Sequence, residues 1–224
     1  ETVKQRIERI SLETFSLCGG VIRYGLFEGM RLNCNTWWGM ADLGSQCLGL
    51  YEKQILDLIS HAGPFDTFLD IGAADGYYAI GMLHSQMAKR SICFEISEKG
   101  QASIKKNWTL NRRRGKLEIH SEANEASLCE IVPKINGKSL VLIDIEGAEF
   151  SLLTPKIITM LKNCEVIIEI HNWVEDFLSK YKTLLTDLNQ HFEIDVIKNA
   201  VKNTESIPLL RSYTDDNRLL VASE

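Results

Sequence analysis

No stretch of this 224-residue sequence approaches the roughly 18 consecutive apolar residues that a membrane-crossing helix needs, so no membrane span is expected. Excess positive charge is missing too. The 25 Lys and Arg stand against 30 Asp and Glu, for a formal charge of -5, whereas a general affinity for nucleic acid or anionic membranes needs the opposite balance. Nucleic acid is therefore not the expected partner. Cys-x-x-Cys pairs are absent. The six cysteines (Cys18, Cys34, Cys47, Cys93, Cys129 and Cys164) lie scattered, several inside apolar runs. That distribution fits reduced buried thiols better than a disulfide frame or a zinc site, and points to a reducing, cytoplasmic compartment. There is no internal repeat and no low-complexity linker. The chain starts at Glu1 rather than Met, which we read as a trimmed N-terminus.

What is present is a regular alternation of strands and helices. Residues 2–15 have helical spacing, and "GGVIRYGLFEGMRLN" alternates like a short hairpin turning near Glu28 and Gly29. These residues, with the aromatic loop around Trp37 and Trp38, make an N-terminal extension over 1–48 that could cover a substrate. The remainder, 49–224, reads as one domain. Its pattern predicts strands near 67–71, 91–96, 116–120, 139–145, 164–170, 192–198 and 217–222, with helices over 50–62, 76–87, 98–113, 124–131, 150–162 and 173–189. Such alternation implies an α/β fold, a doubly wound and mostly parallel seven-stranded sheet covered on both faces. The last two strands, joined by "NAVKNTESIPLLRSYTDDN", suggest an antiparallel edge hairpin.

The first strand-to-helix loop, "FLDIGAADGYYAIG" at 68–81, carries the first chemical signal. Ligands of open parallel sheets bind beyond the carboxyl ends of the strands, and the glycines there let a ligand approach the backbone. Glu95 ends the next strand, "RSICFE", where a carboxylate can accept both hydroxyl protons of a ribose. Asp70 then discriminates between nucleoside ligands. A carboxylate beside a dinucleotide's pyrophosphate would repel it by about 1 to 4 kcal/mol. S-adenosylmethionine, with its ammonium and sulfonium, would instead be attracted.

With "FEIS" after the second strand, "NWTLN" in the helix that follows, "GLYEKQI" upstream and above all "LIDIEGAEF" at 142–150, the chain resembles FkbM-type S-adenosylmethionine-dependent methyltransferases over roughly residues 48–172. Ala74 departs from the middle glycine that many methyltransferases carry, although FkbM-type loops commonly lack it. The resemblance implies a Rossmann-like methyltransferase sheet. It assigns Asp70, Gly72, Ala73 and Gly76 to the methionine end of the cofactor, Glu95 to its ribose, and Glu122 or Ala123 to the adenine. It also implies O-methylation of a hydroxyl on a sugar, a glycan or a glycosylated small molecule.

Asp144 and Glu146 end a buried strand, and ionised side chains there must face a cleft or a cation. Glu149 has a plainer expectation, complementing the dipole at a helix start. A hydroxyl acceptor needs a base, and the candidates are Glu146 and, at the end of the next strand, His171 in "IIEIHNW". Asp144, Glu146 and His171 could also gather around a magnesium ion that orients a sugar diol. Two further functions stay open: methylation of RNA or another nitrogen acceptor, and a cofactor-binding module without turnover. Methylation of amino groups loses ground because no Asn/Asp-Pro-Pro-Tyr/Phe signature occurs.

Overall fold

The computed structural model describes residues 1–198 and 202–223. Five strands, β1 (Phe65–Ile71), β2 (Ala88–Phe94), β3 (Lys116–His120), β4 (Ser139–Ile143) and β5 (Glu165–Ile168), form one parallel sheet in the order β3-β2-β1-β4-β5. The order reverses between β1 and β4, so the crevice at their carboxyl ends is the topological switch point of an open doubly wound sheet.

Each strand's alternation sorts its residues between two cores. Phe68, Cys93, Leu140 and Leu142 face one side, against α1 (Val3–Cys18), α3 (Lys53–Ala62), α4 (Tyr77–His84) and α5 (Glu98–Leu110). Leu69, Ile71, Ile92, Phe94, Val141 and Ile143 face the other, against α6 (Glu125–Ile131), α8 (Pro155–Leu161) and α9 (Phe177–Leu188). Nearly all of these side chains are fully buried, so the sheet reads as continuous apolar runs, as a sheet covered on both faces must.

Two expectations are corrected. The sheet has five strands among the described residues rather than seven, and it has no antiparallel edge hairpin. Residues 217–222 fall inside a helix, α10 (Asp215–Ala222). Thr214 caps it by accepting from the Asn217 N–H, Asp215 and Asp216 sit in its first turn, and Val221 and Ala222 are the buried positions. A short apolar run cannot be assigned to strand or helix by periodicity alone; here the cap and first-turn acids decide. Residues 192–198 lean Phe192 and Ile194 on the second core without pairing to β5. Part of the proposed connection, 199–201, lies outside the described residues.

The helix expected over 150–162 is two helices, α7 (Glu149–Leu152) and α8, because Pro155 cannot continue a helix and Thr154 caps the new one. In the N-terminal stretch one antiparallel bridge joins Val21 to Arg31. α2 (Leu43–Cys47) packs on α1, which also contacts α10. Ile10, Ile22, Phe27 and Met30 share the first core with Phe65 and Phe68 of β1.

Candidate active site

Sheet register builds the site. Cys93, Asp70, Leu142 and Ile167 are paired across β2, β1, β4 and β5. One same-face step further along each strand stand Glu95, Gly72, Asp144 and Glu169. The ladder continues to this row, since Gly72 donates to the Phe94 carbonyl, Asp144 to Ile71 and Glu169 to Ile143. Three carboxylates and one glycine thus share one rim on one face. Glycine is required there: Gly72 has φ +98°, and a Cβ would lie 1.7 Å from the Asp144 carbonyl oxygen. Gly76, with φ +80°, begins α4 against Ile80 and Ile104.

Asp70 is 3% exposed, and its Oδ2 accepts from the Ala79 N–H at 3.1 Å, in the first turn of α4. Burial pushes its pKa up to about 8, with Asp144, Glu52 and Glu95 adding repulsion against the single opposing hydrogen bond. Glu95 is 6% exposed; its Oε2 accepts from the Ala74 N–H at 2.9 Å and Oε1 from Ser97 at 2.7 Å. Burial also raises Glu95, partly offset by these bonds. Ala73 lies beneath the loop, donating to the Phe94 carbonyl and accepting from Gly76. Glu122 and Ala123 follow β3 on the cleft wall, where Glu122 accepts from the Asn124 side chain at 3.2 Å.

The second half of the site lies past β4 and β5. Glu149 is fully buried and accepts from the Gly147 N–H at 2.9 Å and the His171 N–H at 2.9 Å. Its Oε1 stands 3.3 Å from His171 Nδ1. Glu149 is therefore more than a charge at a helix start, because it fixes the imidazole from behind. His171 is 3% exposed, and its Nε2 lies 3.5 Å from Asp144 Oδ1 and 3.7 Å from Glu146 Oε2. Glu146 occupies the left-handed region at φ 53°, a strained conformation for a residue with a side chain. Its side chain stays about half exposed, at 48%. Asp144 is raised to about 7, by burial first and then by Glu169 and Glu52, with His171 acting the other way.

The structure thus brings Asp144, Glu146 and His171 together at the rim that also holds Asp70 and Glu95. It adds residues absent from the expected set. Glu169 supplies an oxygen that lies, with Asp144 and His171 donor atoms, within 4.8 Å of one another. Glu146 of the expected magnesium trio approaches His171 Nε2 to 3.7 Å but is not in this set. Strand parity was the available signal, because Glu169 is two residues before His171 and two after Ile167. Glu52 accepts from the Tyr78 hydroxyl at 2.5 Å and adds its charge to the site. Asp75 grips the N-terminal extension: its two carboxylate oxygens accept from the Trp37 and Trp38 N–H groups at 2.9 and 3.1 Å. Asn107 braces both sides, donating to the Asp75 carbonyl at 2.8 Å and accepting from the Asn33 N–H at 3.0 Å.

Most of these residues, though not the buried Glu149 and His171, line one open cleft of about 1630 Å³ that continues along β5. Twelve Asp and Glu line it against one basic residue, Lys198. No helix among the described residues is long and apolar enough to cross a membrane.

No family model and no curated protein matches the chain. Among solved structures, it is similar to a ribosomal protein L11 methylase from Lactobacillus delbrueckii subsp. bulgaricus at 21% identity and TM-score 0.45, over 67% of this chain and 74% of that one. A spermidine synthase from Thermotoga maritima matches at 16% identity and TM-score 0.41, over 61% of this chain and 48% of that one. A protein assigned as an O-methyltransferase from Klebsiella pneumoniae matches at 12% identity and TM-score 0.39, over 85% and 77%. At such identities and scores, the site geometry rather than these likenesses carries the functional reading.

Proposed function

We propose that the protein is an S-adenosylmethionine-dependent methyltransferase of FkbM type that methylates a hydroxyl, on a sugar, a glycan or a glycosylated small molecule. The observation that carries this reading is the acidic rim at the switch point, where Glu95, Asp144, Glu146 and Glu169 line the cleft beside Asp70. A pyrophosphate would be repelled there, whereas a cationic nucleoside fits. Bound S-adenosylmethionine supplies an electrophilic methyl group on positively charged sulfur.

The chain's own residues then hold and orient. Asp70, Gly72, Ala73 and Gly76 form the loop assigned to the methionine end, and Glu95 keeps lone pairs for a ribose diol beyond its bonds to Ala74 and Ser97. Glu122 and Ala123, on the cleft wall past β3, are the residues we assign to the adenine. Trp37 and Trp38, at 38% and 54% exposure, offer aromatic faces to a sugar ring. Glu146 is the group we assign to take up the hydroxyl proton, because it is half exposed at the mouth, while His171 is buried behind it. Asp144 and His171 fix the electrostatics around that carboxylate.

The test is transfer of labelled methyl from S-adenosylmethionine to a panel of sugar, glycan and phenolic hydroxyl acceptors, with structured RNA alongside. Transfer to a hydroxyl acceptor that falls about 10²- to 10⁴-fold in kcat in Glu146→Gln is the predicted result. Transfer to RNA alone, or cofactor binding without transfer to any acceptor, would favour the nucleic-acid reading or the non-catalytic module.

A further inference from the structure

His171 and its surroundings contain an electrostatic conflict that the methyl-transfer reading does not use. The imidazole Nδ1 faces the buried Glu149 carboxylate at 3.3 Å, and a carboxylate can only accept, so Nδ1 carries the hydrogen. In the neutral ring Nε2 then presents a lone pair. That lone pair faces further acceptors: Asp144 Oδ1 at 3.5 Å and Glu146 Oε2 at 3.7 Å. Asp144 Oδ1 is itself buried with no hydrogen-bond partner among the described residues. Either a proton on one of these groups or a cation held among them relieves that repulsion.

We propose that Asp144, Glu169 and His171 form a site for a divalent first-row transition ion, taken in preference to magnesium. Donor atoms of the three lie within 4.8 Å of one another. Ligand atoms about 2.1 Å from an ion stand roughly 3 Å apart when adjacent and about 4.2 Å apart when opposite; the 3.5 Å from His171 Nε2 to Asp144 Oδ1 is near an adjacent pair, and the exposed Glu169 side chain swings in to complete the set. One imidazole and two carboxylates make a mixed nitrogen and oxygen set, which suits manganese-like or later ions, whereas magnesium prefers oxygen alone. Glu149 supplies the outer support, since a ligating histidine typically donates its other N–H to a carboxylate that fixes the ring. Asp144 and Glu169 each follow directly on a strand, β4 and β5, and their backbone N–H groups continue the ladder to Ile71 and Ile143, so the sheet sets the separation of their backbones. The site departs from the magnesium trio expected from the sequence in one ligand, Glu169 in place of Glu146, and in the class of ion. Glu146 is thereby left free at the rim. Only the use of the ion, holding an acceptor's hydroxyls near Glu146, rests on the methyltransferase reading; binding of the ion does not.

The experiment is titration of the metal-free protein with Mn²⁺, followed by loss of the free-ion electron paramagnetic resonance signal and by calorimetry, without cofactor or acceptor. The predicted result is one Mn²⁺ per chain, weakened at least tenfold in Glu169→Gln and in Asp144→Asn. Glu165→Gln, on the same strand but paired to Lys138, should bind as the wild type, and Mg²⁺ should compete only in large excess. The melting temperature of Glu169→Gln without metal, measured against the wild type, separates a loss of binding from a loss of fold. Absence of stoichiometric binding at millimolar Mn²⁺, or equal binding by Glu169→Gln, would overturn the site. Equal competition by Mg²⁺ would overturn the choice of ion. S-adenosylhomocysteine binding to the same metal-free protein reports separately on the cofactor reading.

Discussion

Asp70 shows how one side chain can serve two ends. Buried among Asp144, Glu52 and Glu95, it has a folded pKa near 8 against an ordinary value of 3.8, so without a ligand it holds its proton at neutral pH. The sign of the stability effect follows. Below about pH 4 both states are protonated; between about pH 4 and 8 the unfolded chain gives up the proton while the folded protein keeps it. Stability therefore falls as pH rises through that window, on the order of 1 kcal/mol per pH unit, and levels off above it. Asp70→Asn keeps an acceptor for Ala79 and removes the slope. Urea unfolding at pH 5 and pH 8 should show the variant gaining on the wild type as pH rises; a constant difference would refute the buried-acid account. Glu149 is the other residue whose surroundings define it. Its carboxylate satisfies Gly147 and His171 from full burial, so Glu149→Ala should cost about 2 to 4 kcal/mol by orphaning those N–H groups. A loss under about 0.5 kcal/mol in chemical denaturation would mean that the network is not formed.

At the scale of elements, the site depends on where strands stop. Gly72 lets the β1 loop pass against the end of β4, and Gly72→Ala combines a positive φ with a backbone clash against Asp144. The expected cost is on the order of 3 kcal/mol or more, read as a lower melting temperature; an unshifted melting temperature would contradict the close approach. Asp75 plays a comparable part for the N-terminal extension, holding the Trp37 and Trp38 backbone. Asp75→Ala should speed limited proteolysis between residues 33 and 42 while the sheet stays intact, and an unchanged cleavage rate would show that the loop is held by other contacts. The core elements were legible from their apolar runs because burial on both faces leaves such runs no alternative. Where a segment is short, other terms decide. "NRLLVASE" looks strand-like by its apolar residues, yet Thr214 and two aspartates start a helix ahead of it. The acids at the rim were only partly legible. Asp144, Glu146 and His171 stand out as charged residues at strand ends, whereas Glu169 and the support given by Glu149 depend on register between β4 and β5, which a single strand's sequence does not contain.

Over the whole molecule, the doubly wound sheet gathers acids at the ends of β1, β2, β4 and β5 at one crevice, which Trp37 and Trp38 also line. We propose that this acid-lined cleft takes a cation rather than a phosphate, and the central claim is that the cation is S-adenosylmethionine. The most direct measurement is thermal unfolding with S-adenosylhomocysteine, with NAD as the control ligand. At about 100 times its dissociation constant, a ligand of the folded state stabilises by roughly 2.7 kcal/mol. The account predicts a clear upward shift with S-adenosylhomocysteine, reduced or lost in Glu95→Ala, and none with NAD. No shift at saturating S-adenosylhomocysteine, or a shift with NAD alone, would contradict it.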